Sequence, residues 1–188
     1  MITKDNLDVN KLKEILTRFN VPFDQWGKGE SKTFESLVEE IQKGESVFDE
    51  LLGLRRVGTV IVDLRCGDHR LVEELQRFAD GRERKRALPF GALGEKLFIA
   101  EPLTHGLARM LKEELKIILS ENKTDVAVFF VETKEFTSAS ASYPGLTTHN
   151  IHYRHIANIS LSLLFKLGGQ NFVSTEETKT TFYRWEKM

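Results

Sequence analysis

A helix pattern between two β-branched runs constrains the fold of this sequence most. Leucines recur every four residues from Leu103 to Leu115, so one face of the helix would be apolar. The runs 57–63 (VGTVIVD) and 125–132 (DVAVFFVE) are β-branched, aromatic and apolar, and both predict buried strands. Strands and helices in this order predict an α/β fold in which a sheet packs against a central helix.

Two further amphipathic stretches precede the first strand. Apolar residues recur at three- and four-residue spacing over 9–19 and again over 34–41. Pro22 ends the first helix, because proline cannot continue it, and Gly44 is placed to end the second. We therefore predict an N-terminal helical extension over residues 1–54.

The remaining patterns extend the sheet across residues 55–188. The segment 71–78 fits either a strand or a helix, whereas 87–90, 149–159 and 178–185 are predicted to be extended. The expected architecture is α/β with a mixed sheet, peripheral helices and the N-terminal extension. A turn is predicted at 143–146 (YPGL), where proline presets φ and glycine accepts a positive φ.

Composition excludes several classes of protein. Of 188 residues, 40% are hydrophobic and 10% aromatic, which supports a packed core rather than disorder. No run approaches the ~18 apolar residues that a membrane span needs, and the polar N-terminus does not resemble an export signal. A single cysteine, Cys66, cannot form an internal disulfide. We expect a cytoplasmic protein with no membrane partner.

Charge bears on the kind of partner. The chain has 27 Lys and Arg against 28 Asp and Glu, and this balance argues against a nucleic-acid partner. Phosphate recognition would therefore be local. The cluster at 82–86 (RERKR) offers Arg82, Arg84 and Arg86 as phosphate contacts, since arginine forks suit phosphate oxygens. A charged surface turn is the alternative.

The helix pattern also contains a motif. Glu101 is followed by seven residues and then by 109–114 (RMLKEE). This spacing resembles the signature of the Nudix superfamily, which has Gly, five residues, Glu, seven residues, then Arg-Glu-apolar-x-Glu-Glu-x-Gly-apolar. The matching positions are Glu101, Arg109, Leu111, Glu113, Glu114 and Ile117.

Three positions depart from that signature. The glycine six residues before Glu101 is replaced by Glu95, with Gly94 one step earlier. Met110 stands where the family has a glutamate, and Lys116 stands where it has the second glycine. The structural residues of the motif would then be Gly94, Glu101 and Arg109, the last able to pair with Glu113 four residues later.

The resemblance implies a Nudix-like α/β/α sandwich over 55–188 and metal-dependent hydrolysis. Glu113 and Glu114 would be the catalytic metal ligands, and the substrate would be a small nucleotide derivative, a nucleoside diphosphate linked to another moiety. Magnesium or manganese would be the cofactor, since these ions prefer oxygen ligands. Our own hypothesis adds Glu95 as a third ligand, because it stands at the glycine position.

Two alternatives remain open. The loss of a carboxylate at Met110 favours a catalytically inactive Nudix-like module that binds a nucleotide or a protein partner, whereas the pair Glu113 and Glu114 favours the enzyme. The helical extension, with Trp26, offers a surface for a homodimer or for another partner.

Three histidines lie close together in the sequence. On an extended strand, the spacing of His149, His152 and His155 places His152 on the face opposite the other two, which argues against a zinc site. One or two of them would instead line a ligand pocket.

Overall fold

The chain folds into four α-helices and nine strands in the part that the computed structural model describes. These residues are 1–86, 88, 90–119, 121, 124–169, 171–175 and 179–188. The helices are α1 (Val9–Arg18), α2 (Phe34–Gln42), α3 (Leu103–Leu115) and α4 (Leu161–Lys166). Within these residues, no helix combines the length and apolarity needed to cross a lipid bilayer.

The strands belong to one sheet. They are β1 (Val47–Asp49), β2 (Leu54–Cys66), β3 (His69–Phe78), β4 (Glu83–Arg84), β5 (Leu93–Lys96), β6 (Val126–Ala139), β7 (Thr147–Ile159), β8 (Asn171–Thr175) and β9 (Lys179–Lys187). The order is β6-β7-β2-β3-β9-β8, with β1 and β5 paired to β2 and β4 paired to β3. The pairs β2–β3, β3–β9 and β8–β9 are antiparallel. The predicted α/β class is confirmed.

The burial predicted for the strand at 125–132 is wrong. The run 125–132 was expected to be a buried strand, but β6 is largely exposed, with Phe129 55% and Phe130 56% accessible. β6 lies at the end of the strand order, so its outer edge has no neighbouring strand among the described residues. The ambiguous segment 71–78 is a strand within β3. The predicted strand 87–90 includes positions 87 and 89, which lie outside the described residues, as does position 178 of the predicted last strand.

The first of two compact units contains residues 1–59, 96–102 and 133–152. The apolar faces of α1 and α2 pack together in its core, where Leu12, Leu16, Leu37 and Ile41 are fully buried. The predicted turn at 143–146 forms, closed by a 3.0 Å hydrogen bond from the Leu146 N–H to the Tyr143 carbonyl. The N-terminal helices therefore share their core with later segments of the chain.

A buried ion pair lies within this unit. Arg55 of β2 contacts Glu40 of α2, and both side chains are almost fully buried. Lys96 Nζ lies 2.8 Å and Lys32 Nζ 2.7 Å from Glu40 Oε1. Burial raises the pKa of Glu40, but the charges of Arg55 and Lys96 and the hydrogen bonds from Lys32 and Lys96 outweigh it, lowering the pKa to about 2.

The second unit contains residues 60–95, 103–132 and 153–188. The leucine stripe of α3 faces the core, as predicted, and Leu111 is fully buried. Val60, Val62 and Leu64 of β2 are also fully buried. This unit contains all the residues of the acidic site described next.

Candidate acidic site

The three carboxylates predicted as metal ligands surround one recess of the second unit. Glu95 of β5 and Glu113 and Glu114 of α3 line a volume of about 290 Å³, together with Lys116 and Thr175. The structure therefore brings together residues that are separated in the sequence by most of the predicted motif. Three of its five lining side chains are acidic and one, Lys116, is basic.

Helix α3 determines which motif residues face the recess. Its core face contains Leu107, Leu111 and Leu115, which leaves Glu113 exposed and Glu114 partly buried. Met110, at the position where the Nudix signature has a glutamate, is fully buried in the core. That position therefore contributes apolar packing instead of a carboxylate.

Arg109 lies beside two of the carboxylates. Its Nη1 is 3.6 Å from Glu113 Oε2, the contact that the four-residue spacing predicts, and 3.8 Å from Glu95 Oε1. The guanidinium thus connects β5 with α3. It also offsets part of the repulsion between the carboxylates.

Tyr183 is a site residue that the sequence patterns did not predict. Its hydroxyl donates a 3.2 Å hydrogen bond to Glu114 Oε2, and the residue is only 4% exposed. Burial raises the pKa of Tyr183 well above its usual range, and the negative charges of Glu114 and Glu73 raise it further. Tyr183 therefore stays protonated and acts as a hydrogen-bond donor that orients Glu114.

The end of α3 departs from the signature at Lys116, whose backbone conformation is unusual for a residue with a side chain. Lys116 has a φ of 58°, in the left-handed region that glycine adopts most readily. The Ile117 N–H donates to the Leu111 carbonyl at 3.1 Å, which closes the helix. Lys116 thus adopts the backbone conformation of the glycine that it replaces, and its side chain lines the recess.

The arrangement is not that of a closed metal centre. Carboxylate oxygens are the ligands that magnesium prefers. Among the described residues, however, no group of three or more His, Cys, Asp or Glu side chains is positioned to hold a metal ion. A metal role for Glu95, Glu113 and Glu114 therefore stays a prediction.

The predicted phosphate-contact arginines each bind a different neighbour. The pairs are Arg82 with Asp80, Arg84 with Gln76, and Arg86 with Glu73. Glu83 and Arg84 form the short strand β4 and are not part of a turn. Among the described residues, Arg86 lines a cavity that neither Arg82 nor Arg84 lines. A phosphate role for each of the three stays a prediction.

The other two structural residues of the motif, Glu101 and Gly94, both precede α3. Glu101 Oε2 accepts a 3.0 Å hydrogen bond from the Phe98 N–H, which tightens the turn before α3. Gly94 lies within β5.

The histidines of β7 have separate neighbours. His149 Nδ1 lies 3.1 Å from Arg56 Nη1. The ring of His152 contacts Phe136, and the ring of His155 contacts Phe130.

Comparisons with known proteins give structural similarity alone. No protein-family model and no curated protein matches the chain. The DR0079 protein of Deinococcus radiodurans is 14% identical with a TM-score of 0.30, and the match covers 55% of each chain. A MutT structure, from work on Aliivibrio salmonicida and Vibrio cholerae, is 11% identical with a TM-score of 0.27, covering 70% of this chain and 80% of that one. Both similarities are too low to assign the fold to a family.

Proposed function

We propose that this protein is a Nudix-like hydrolase of a nucleoside diphosphate linked to another moiety. The observation that supports the proposal is the recess that Glu95, Glu113 and Glu114 line together. Glu113 and Glu114 match the signature, and Glu95 was proposed from its position alone. A site that combines three carboxylates from two elements is typical of cation-assisted phosphate chemistry.

The residues that would hold magnesium or manganese are Glu113 and Glu114, with Glu95 from β5. When bound, such an ion neutralises the charge of a diphosphate and activates a water for attack on phosphorus. The protein's own part is orientation. Tyr183 holds Glu114 by its hydrogen bond, and Arg109 connects Glu95 and Glu113 by its two ionic contacts.

A catalytically inactive module that binds a nucleotide or a protein is the second candidate. Two observations favour it. Met110 is buried where the signature has a carboxylate, and Arg109 lies within 4 Å of two of the three remaining carboxylates. Arg109 thereby offsets part of the negative charge that would attract a metal ion. Lys116, which lines the recess, is a positive group that a bound anion can contact without a metal.

Manganese titration followed by electron paramagnetic resonance separates these candidates. The wild type is compared with Glu113→Gln/Glu114→Gln and with a matched control, Glu14→Gln/Glu39→Gln, which removes two exposed helix charges elsewhere. For the hydrolase we expect saturable binding in the wild type and the control, and its loss in the site variant. Hydrolysis of nucleoside diphosphate compounds should be lost in parallel.

The absence of manganese binding would contradict the hydrolase proposal. If the folded wild type binds no manganese, even with a nucleoside diphosphate present, the hydrolase proposal is wrong. Binding of the nucleotide alone, without metal and without turnover, would then support the inactive module.

A further inference from the structure

A second cavity of the second unit shares no lining residue with the acidic recess. Its volume is about 210 Å³, and its walls come from β2, β3 and β9 together with Gly91 and Ala92. The charged side chains that line it are Asp63, Arg70, Glu73, Arg86, Arg184 and Glu186.

Asp63 presents a buried acceptor without a donor. The residue is 4% exposed, and its Oδ2 accepts hydrogen bonds from Arg65 at 2.8 Å and 2.6 Å. Its Oδ1 is buried as well, and no described residue donates a hydrogen bond to it. A buried acceptor without a partner is costly, and Asp63 lines the cavity, so its carboxylate is suited to receive an O–H or N–H group of a ligand.

Arg70 supplies an unbalanced positive charge in the same cavity. It lies opposite Arg65 on β2 and opposite Glu186 on β9. Arg65 is bound to Asp63, and Arg184 lies 3.6 Å from Glu186. Arg70 itself makes no ion pair within the described residues. An anion bound beside Arg70 would balance its charge.

The other charges of the cavity are already balanced. Arg86 binds Glu73 through Nε at 2.8 Å and through a second guanidinium contact. The cavity therefore combines one unbalanced guanidinium group with one buried acceptor. A ligand that satisfies both must be an anion that also donates a hydrogen bond.

Gly91 keeps the wall of the cavity close to β2. Its φ is 65°, and a Cβ at this position would lie 2.4 Å from the Val62 carbonyl oxygen and 2.8 Å from the Asp63 nitrogen. Only glycine permits this approach of two backbones. The wall beside Asp63 is thus fixed by the backbone before any ligand arrives.

We propose that this cavity binds a protonated phosphate group, with Arg70 donating to its oxygens and the Asp63 carboxylate accepting its P–OH. Hydrogen phosphate meets both requirements, whereas sulfate is an anion of similar size and shape that has no proton to donate at neutral pH. Free phosphate and the phosphate of a small ester share this chemistry. The carboxylate therefore selects the protonated anion, and the arginine supplies the attraction.

Isothermal titration calorimetry with sodium phosphate and sodium sulfate tests the proposal. The titrations are run with EDTA at about pH 6, where a phosphate ester also keeps a proton in part. We expect saturable phosphate binding and sulfate binding at least about tenfold weaker. Glycerol phosphate distinguishes the sources: affinity equal to that of phosphate indicates an ester, and no affinity indicates free phosphate.

Variants assign the binding to this cavity. Arg70→Gln should weaken phosphate binding about tenfold or more, whereas Arg77→Gln, which removes the same charge from the exposed end of β3, should leave it within about twofold. Asp63→Asn replaces an acceptor by a group that can also donate, so the preference for phosphate over sulfate should disappear.

Three results would overturn the proposal. They are the absence of phosphate binding by the folded wild type, equal affinity for phosphate and sulfate, and equal effects of Arg70→Gln and Arg77→Gln. The last would indicate general surface charge. None of them bears on manganese binding at the acidic recess, so the two proposals fail separately.

Discussion

The strands β2 and β6 are similar in length and in apolar content, yet their environments differ. Val60, Val62 and Leu64 of β2 are fully buried, whereas Phe129 and Phe130 of β6 are more than half exposed. β2 lies between β7 and β3, and β6 lies at the end of the strand order. Apolar composition therefore does not decide burial. The residues packed against the face of a strand decide it, and they cover Val60, Val62 and Leu64 but leave more than half of Phe129 and Phe130 accessible.

The ion pairs of β2 and β6 also differ in how deeply they are buried. Arg55 of β2 contacts the buried carboxylate of Glu40. Glu132 of β6 pairs with Arg154 at 2.6 Å, but its side chain is half exposed. Removing one partner of a buried pair is costly, whereas an exposed pair contributes little to stability. The comparison of the two strands thus extends from apolar packing to ion pairs.

The largest expected effect is on the apolar face of β2. Leu64→Ala removes a fully buried side chain and leaves a cavity, so we expect the free energy of unfolding to fall by about 2–5 kcal/mol. Urea unfolding followed by circular dichroism measures this change. A loss below about 1 kcal/mol would mean that β2 is not an inner strand in solution.

Acid should weaken the ion pair of β2. The pKa of Glu40 is lowered from 4.5 to about 2, so its contribution to stability is present above pH 4.5 and is lost as the pH falls toward 2. We expect Glu40→Gln to remove this part of the pH dependence in urea unfolding between pH 5 and 3. Leu64→Ala serves as the control, because it lowers stability without touching the pair and should keep the slope of the wild type.

The smallest effect is expected on β6. Phe129→Ala should change the free energy of unfolding by no more than about 0.5 kcal/mol, since the side chain is already exposed. Urea unfolding at several protein concentrations makes the test sharper. A large loss that grows with protein concentration would show that a second copy covers β6, a different surface from the helical extension through which the homodimer is predicted.

Local patterns predicted much of the fold. The leucine spacing of α3 and the stripe of α1 depend on residues only three or four positions apart, and both helices form where expected. The β-branched run of β2 is a buried strand, as predicted. The environment of β6 could not be predicted in this way, because its composition is equally typical of an inner strand and the strand order is not a local property.

The same distinction applies to the two sites. Glu113 and Glu114 were identifiable because their motif is contiguous in the sequence. Tyr183 was not, since its contact with Glu114 joins residues 69 positions apart. Arg70 and Asp63 needed the register of β2, β3 and β9, which alternating side chains alone do not specify.

The left-handed backbone of Lys116 links the stability of the end of α3 to the charge of the recess. This conformation costs a side-chain-bearing residue roughly 1–2 kcal/mol relative to a right-handed one, and glycine would avoid most of that cost. Glycine would also remove the lysine cation from the recess lined by Glu95, Glu113 and Glu114. A relaxed helix end and a less acidic recess are therefore competing demands on one position, and selection for thermostability there would act directly on the electrostatic potential of the site.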